Sequence, residues 1–192
     1  MYRMLVIGFS AGGFALIERL LQALPEDYPL PIAIVAHLPS EQESHLPLML
    51  NSQSRLQVCM AVDKESIVSG RVYFAPPGYH LIVEQPKNSA AFFALSVDNQ
   101  VKSVRPSIDV LFETAAEAFE SALIAVLLSG ANSDGAEGIA YVKQLGGLTI
   151  VLDPSTSEFN IMSTEALKRV NVDYVVSMDE IISLLLSVSE KS

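Results

Sequence analysis

The chain has 192 residues, half of them hydrophobic and 18% charged, with a formal net charge of −10. That length fits one compact domain spanning 1–192, and that composition supplies a sizeable core and argues against disorder. The acidity argues against binding driven by phosphate neutralisation. The few basic residues, such as Lys168 and Arg169, form no stripe, so neither nucleic acid nor an anionic membrane surface is an expected partner.

Arg3 followed by the run from Met4 to Ile17 faintly resembles a secretory signal. Glu18 and Arg19 follow at once, however, glycines interrupt the run, and it is too short to span a bilayer. It reads instead as the first strand and helix of a cytoplasmic protein without membrane insertion. Met4 to Ile7 is predicted as a strand, Phe14 to Leu24 as a helix, and Ile32 to Val35 as a continuous apolar strand. A helix is expected from Gln42 to Leu50, then a strand around Val58. Cys59, the only cysteine, lies in that strand and reads as a buried, inert thiol; alone it can build neither a disulfide nor a zinc cluster. Such apolar runs suit a parallel sheet covered on both faces.

Arg71 to Phe74, Leu81 to Glu84 and Ala91 to Leu95 are three short β segments without helices between them, with a hairpin-like turn at Pro86 to Ser89. They read as an antiparallel edge or excursion on the parallel sheet. The alternation then resumes. A helix at Ile108 to Phe119 follows Pro106 and Ser107, and Ile124 to Leu128 is a strand. Ala136 to Leu145 is a helix, Leu148 to Leu152 a strand, Thr164 to Arg169 a short helix and Tyr174 to Val176 a last strand. Ser177 to Glu180 forms a capping-box pattern ahead of a final helix. The expected fold is α/β: a doubly wound, mostly parallel sheet flanked by helices, with ligands at the carboxyl ends of its strands.

Three loops follow three of these buried strands. Gly8-Phe9-Ser10-Ala11-Gly12 fits the Gly-x-Ser-x-Gly pattern of a nucleophile elbow, in which small residues permit a tight strand-to-helix turn. The same residues are open to reading as a glycine-rich phosphate or dinucleotide loop. Against that, Ser10 stands where the second fingerprint glycine belongs and no Walker lysine follows. Ala36-His37-Leu38-Pro39 ends the second strand, beside the first loop, so His37 is a candidate general base or an ordinary loop histidine. His45 and His80 are weaker candidates. In Ser129-Gly130-Ala131-Asn132-Ser133-Asp134-Gly135, Asp134 either orients the imidazole or caps the following helix together with Glu137, and both roles can hold at once. The chain order Ser, His, Asp departs from the α/β-hydrolase order. A patatin-like lipase needs a glycine-rich oxyanion loop upstream of its serine, for which nine residues leave no room.

Val6 to Gly13, Ala36 to Pro39 and Ser129 to Ala136 resemble the catalytic domain of the chemotaxis receptor methylesterase family, CheB. Gly70 to Leu81 and Arg105 to Phe112 are similar to further family segments, so the resemblance runs from about Met4 to Val176. It implies a catalytic triad of Ser10, His37 and Asp134 without metal or cofactor. It also implies hydrolysis of glutamyl γ-methyl esters on chemoreceptor cytoplasmic helices, with release of methanol, and deamidation of certain receptor glutamines. Backbone N–H groups near Ala11 and Ala131 are the expected oxyanion donors. Two departures stand out: Gly130-Ala131-Asn132 replaces a usual Gly-Met-Gly, and Met162-Ser163 a frequent Met-Pro. The first opens an alternative, a catalytically weak or inactive interaction module. A receiver domain, usual before this catalytic domain, is not expected in this chain. Because receptor helices are commonly acidic too, docking calls for a local basic patch, for which Arg105 is the candidate.

Overall fold

The structure is a computed structural model and describes residues 1–37, 45–87 and 89–189. Its main sheet has seven parallel strands. They are β1 (Met4–Phe9), β2 (Ile32–Ala36), β3 (Gln57–Met60), β4 (Arg71–Phe74), β7 (Leu123–Leu127), β8 (Leu148–Leu152) and β9 (Tyr174–Val176). Their spatial order is β3-β4-β2-β1-β7-β8-β9. All six residues of β1 are buried, because this central strand has a covered face on either side. Leu5, Ile7 and Phe9 face one layer with α1 (Phe14–Ala23), α2 (Leu46–Asn51) and α6 (Met178–Ser189). Met4 and Val6 face the other, with α3 (Ile108–Phe119), α4 (Ala136–Gln144) and α5 (Ile161–Arg169).

The antiparallel excursion is smaller than the sequence suggests. β5 (His80–Glu84) and β6 (Phe92–Ser96) pair as a separate two-stranded sheet, joined through a turn in which Ser89 N–H donates to the Pro86 carbonyl. Arg71 to Phe74 does not belong to it. As β4 that segment lies between β3 and β2, and Val72, Tyr73 and Phe74 are buried there. Full burial on both faces, rather than an edge position, accounts for its apolar run.

Several boundaries move. The helix expected from Gln42 is described from Leu46 to Asn51, and the positions 38–44, with Leu38 and Pro39, lie outside the described residues. α5 starts at Ile161 rather than Thr164, because Met162 N–H finds the Gly130 carbonyl and Thr164 N–H the Asn160 carbonyl. The capping box before α6 is half made: the Glu180 carboxylate accepts from both the N–H and the hydroxyl of Ser177. Cys59 is half-buried rather than buried, and burial pushes its thiol up, with the Glu65 charge adding to the rise. Among the described residues no helix is long and apolar enough to cross a membrane.

Candidate active site

The chain leaves β1 toward β2 on one side and returns through β7 on the other, so the crevice above the carboxyl end of β1 is a topological switch point. Three backbone bonds fix that rim. His37 N–H donates to the Phe9 carbonyl at 3.0 Å, Ser10 N–H to the Ser129 carbonyl at 2.8 Å, and Leu128 N–H to the Gly8 carbonyl at 2.9 Å. The loops carrying Ser10, His37 and Asp134 are thereby held side by side, although 124 positions separate the first from the last (134 − 10).

Ser10 begins the turn that opens α1. Gly13 N–H closes the turn on the Ser10 carbonyl at 3.0 Å, and Gly12 has φ +76°, a conformation that side chains rarely adopt. Gly130 packs against the serine from the opposite loop; a Cβ there would lie 3.0 Å from Ser10 Cβ. Neither Ala11 N–H nor Ala131 N–H donates to any group among the described residues. Ser129 Oγ is fully buried beneath this turn and has no hydrogen-bond partner among the described residues.

Asp134 is fully buried, and of its two expected roles the capping of the following helix does not hold. The N-cap of α4 is Gly135, in the left-handed region at φ +92°, and Asp134 does not cap that helix. Its carboxylate finishes the start of α3 instead: Oδ2 accepts from Ile108 N–H at 2.6 Å, and Oδ1 from Asp109 N–H at 3.2 Å and Ser107 Oγ–H at 2.9 Å. Helix N-termini favour an anion. Burial pushes the Asp134 carboxyl up, but His37 and the N–H groups of Ile108 and Asp109 outweigh it and hold the group at about 2. The carboxylate is therefore charged across the physiological range.

His37 Nε2 lies 2.9 Å from Asp134 Oδ2, with the imidazole side chain only 9% exposed. The ring N–H points off the line to the carboxylate, so this is a close polar contact rather than an aligned hydrogen bond. The other ring nitrogen, Nδ1, is 3.3 Å from Nδ2 of Asn132. Only the neutral tautomer with its proton on Nε2 satisfies both neighbours. Ser10 Oγ, for its part, donates to the backbone carbonyl of His37 at 3.5 Å, not to the ring.

The remaining candidates take structural places. His80 is buried; its Nδ1 accepts from Ser107 N–H at 3.2 Å and its Nε2 lies 3.1 Å from the Asn99 carbonyl, bracing the residue that supports Asp134. His45 is an exposed residue at the start of α2. Arg105 commits Nη1 to the carbonyls of Val97 and Asp98, which ties its guanidinium to that loop. Lys102 braces the loop instead, reaching Asp109 Oδ2 at 2.6 Å and the Ser133 carbonyl at 3.0 Å. Sequence reasoning missed the parts of Ser107, His80 and Lys102. Ser107 was visible only as a helix-start signal.

This geometry can be set beside known proteins. The family described as CheB methylesterase matches residues 5–185. The chain belongs to the CheB methylesterase family. A Leptospira interrogans protein, provisionally named a protein-glutamate methylesterase/protein-glutamine glutaminase, is 41% identical over 191 residues, covering all of this chain and 97% of its own length. The Thermotoga maritima protein-glutamate methylesterase/protein-glutamine glutaminase is 35% identical over 174 residues, covering 91% of this chain but 50% of that longer protein. The crystal structure of the Thermotoga maritima CheB methylesterase catalytic domain superposes with a TM-score of 0.93 at 34% identity, covering 98% of this chain and 99% of the other. The parallel sheet and its flanking helices are thus a CheB fold, and the family's named enzymes are hydrolases. Within that CheB fold, the loop that departs from the usual Gly-Met-Gly is the one whose third residue, Asn132, touches His37.

Proposed function

We propose that this protein is a cytoplasmic serine esterase that hydrolyses glutamyl γ-methyl esters on chemoreceptor helices, releasing methanol, and deamidates receptor glutamines by the same route. The observation that carries the reading is the convergence of Ser10, His37 and Asp134 at the switch point, with the His37–Asp134 contact at 2.9 Å. The names of the relatives supply the substrate class.

In this mechanism Asp134 holds the imidazole with its proton on Nε2, so Nδ1 is the basic nitrogen. The ring takes the Ser10 proton on Nδ1 as Oγ attacks the ester carbonyl. Asp134 stabilises the imidazolium that forms and stays ionised. The uncommitted N–H groups of Ala11 and Ala131 receive the oxyanion, each worth about 3–4 kcal/mol of barrier in comparable sites. His37 then protonates the departing methanol. Water attacks the acyl-enzyme by the same proton path and regenerates Ser10. We propose the whole chain as one catalytic domain. The test is methanol release from methylated receptor by the wild type and by Ser10→Ala. Loss of release in the variant supports the reading, and undiminished release overturns it.

A second reading is a catalytically weak or inactive interaction module. It is favoured by the Ser10 hydroxyl facing the His37 carbonyl instead of the ring. A fluorophosphonate probe separates the two: rapid labelling confined to Ser10 excludes the inactive module.

A further inference from the structure

Asn132 touches both the candidate base and the backbone of its carboxylate partner. Its amide orientation is fixed, because Oδ1 accepts from Asp134 N–H at 3.1 Å and so Nδ2, the donor, must be the atom facing His37 Nδ1 at 3.3 Å. The imidazole has two nitrogens. Nε2 faces Asp134, so Nδ1 carries the only lone pair able to take a proton from Ser10. Asn132 already donates to that lone pair, while the serine hydroxyl rests on a carbonyl.

We infer that Asn132 is a positioning residue that latches the general base: its side-chain amide occupies the basic nitrogen of His37 at rest, and it must yield before Ser10 is activated. The inference rests on the reading of His37 as the base of a serine esterase, and it goes beyond that reading by assigning a restraint on the site. The same side chain has a second task through Oδ1, which steadies the turn into Asp134. A glycine at this position, as in the usual Gly-Met-Gly run, has neither function. The charged and titratable groups around the pair are Asp134 in contact, then Asp109 and Lys102 around Asp134 and its loop, and His80 through Ser107. None of them donates to Nδ1.

Releasing the latch removes one ordinary hydrogen bond that competes with the serine, so Ser10 should react about two- to tenfold faster. Three variants divide the two tasks. Asn132→Gly and Asn132→Ala remove both the donor and the acceptor. Asn132→Asp keeps an acceptor for Asp134 N–H and puts a charge in place of the donor, so it preserves the turn while changing what faces Nδ1.

Each protein is compared by its rate of Ser10 acylation with a fluorophosphonate probe and by the ring 15N resonances of His37. In the wild type, the expected spectrum has the proton on Nε2 and a hydrogen-bonded Nδ1. In Asn132→Ala and Asn132→Gly, the Nδ1 resonance moves toward that of a free imidazole nitrogen, and acylation quickens. In Asn132→Asp, the carboxylate favours the imidazolium, the resonance moves the opposite way, and acylation slows. A wild-type spectrum with the proton on Nδ1, or an Nδ1 resonance unmoved in Asn132→Ala, overturns the latch. So does a pattern in which Asn132→Ala slows while Asn132→Asp behaves as wild type, which is the signature of the turn alone. A moved resonance without Ser10 labelling in any form supports the contact and overturns the esterase reading instead.

Discussion

Asp109 and Asp134 finish the helix starts that lie next to each other's positions. Asp134, in the loop before α4, accepts Ile108 N–H at the start of α3 at 2.6 Å; Asp109, in the first turn of α3, accepts Gly138 N–H of α4 at 2.8 Å. Gly138 permits the approach, since a Cβ there would lie 2.7 Å from Phe112 Cβ. Helix packing and the candidate site are thus the same piece of structure, and this shapes how the protein should respond to acid and to substitution.

Asp134 is held at about 2, well below an ordinary carboxyl. The sign follows directly. A carboxyl with a depressed folded pKa contributes stability that is complete above the unfolded pKa, near 4, and is lost as the pH falls through 2. The contribution is on the order of 2 kcal/mol. Urea unfolding at pH 5 and at pH 2 should show that loss, and Asp134→Asn should remove most of it. Asp109 works against the trend. Burial raises its carboxyl despite the Lys102 ammonium at 2.6 Å, so its charged form weighs against the fold and protonation in acid offsets part of the Asp134 loss.

For catalysis, Asp134→Asn should be nearly as severe as losing the serine. An amide offers His37 a donor in place of a charge and favours the wrong tautomer, which in a comparable triad lowers turnover by about 10⁴-fold. Methanol release checks the rate, and circular dichroism checks that α3 survives. A variant within tenfold of wild type would remove Asp134 from the proposed triad.

Gly130→Ala should injure the site through contact, not backbone strain. The new methyl group would lie 2.4 Å from Met162 Cε and 3.0 Å from Ser10 Cβ. We expect a stability loss of about 1–3 kcal/mol together with slower Ser10 labelling. Adding Met162→Ala should recover part of the stability, because the thioether end is the tighter contact. It should not restore the labelling rate, because the serine is still displaced. Thermal melts and probe kinetics on the single and double variants separate the two effects.

Ser129→Ala should be tolerated or stabilising. Its hydroxyl is fully buried without a partner, a state that costs about 1–3 kcal/mol of lost hydration. The alanine variant should melt at or above the wild-type temperature and retain Ser10 reactivity, since Ser10 is held by the Ser129 carbonyl and not its hydroxyl. A marked loss of labelling would assign the hydroxyl a part in the site.

Much of this site is written locally in the sequence, and the missed parts are non-local. β1 and the small-residue turn at Ser10 are adjacent in the chain, and a fully buried parallel strand is legible as an apolar run. Arg71 to Phe74 is also a short apolar run, but it was grouped with the hairpin that follows. Only pairing with strands up to 40 residues away (72 − 32) distinguishes the two. Asp134 followed by Glu137 mimics a cap pair, yet the N–H groups that matter belong to Ile108 and Asp109, 26 and 25 positions earlier. Asn132 meets His37 across 95 positions, a contact that no spacing rule contains. What the sequence did offer was the departure from the usual glycine.

The position of β1 has a consequence for how this protein comes into being. Ser10 is made before its neighbours on one side, β7 and the Ser129 carbonyl, which lie more than a hundred positions behind it. A nascent chain stopped before Leu123 holds the serine and the histidine without the strand and carboxylate that complete the site. The candidate site is therefore completed late in synthesis, in one step when β7 closes against β1.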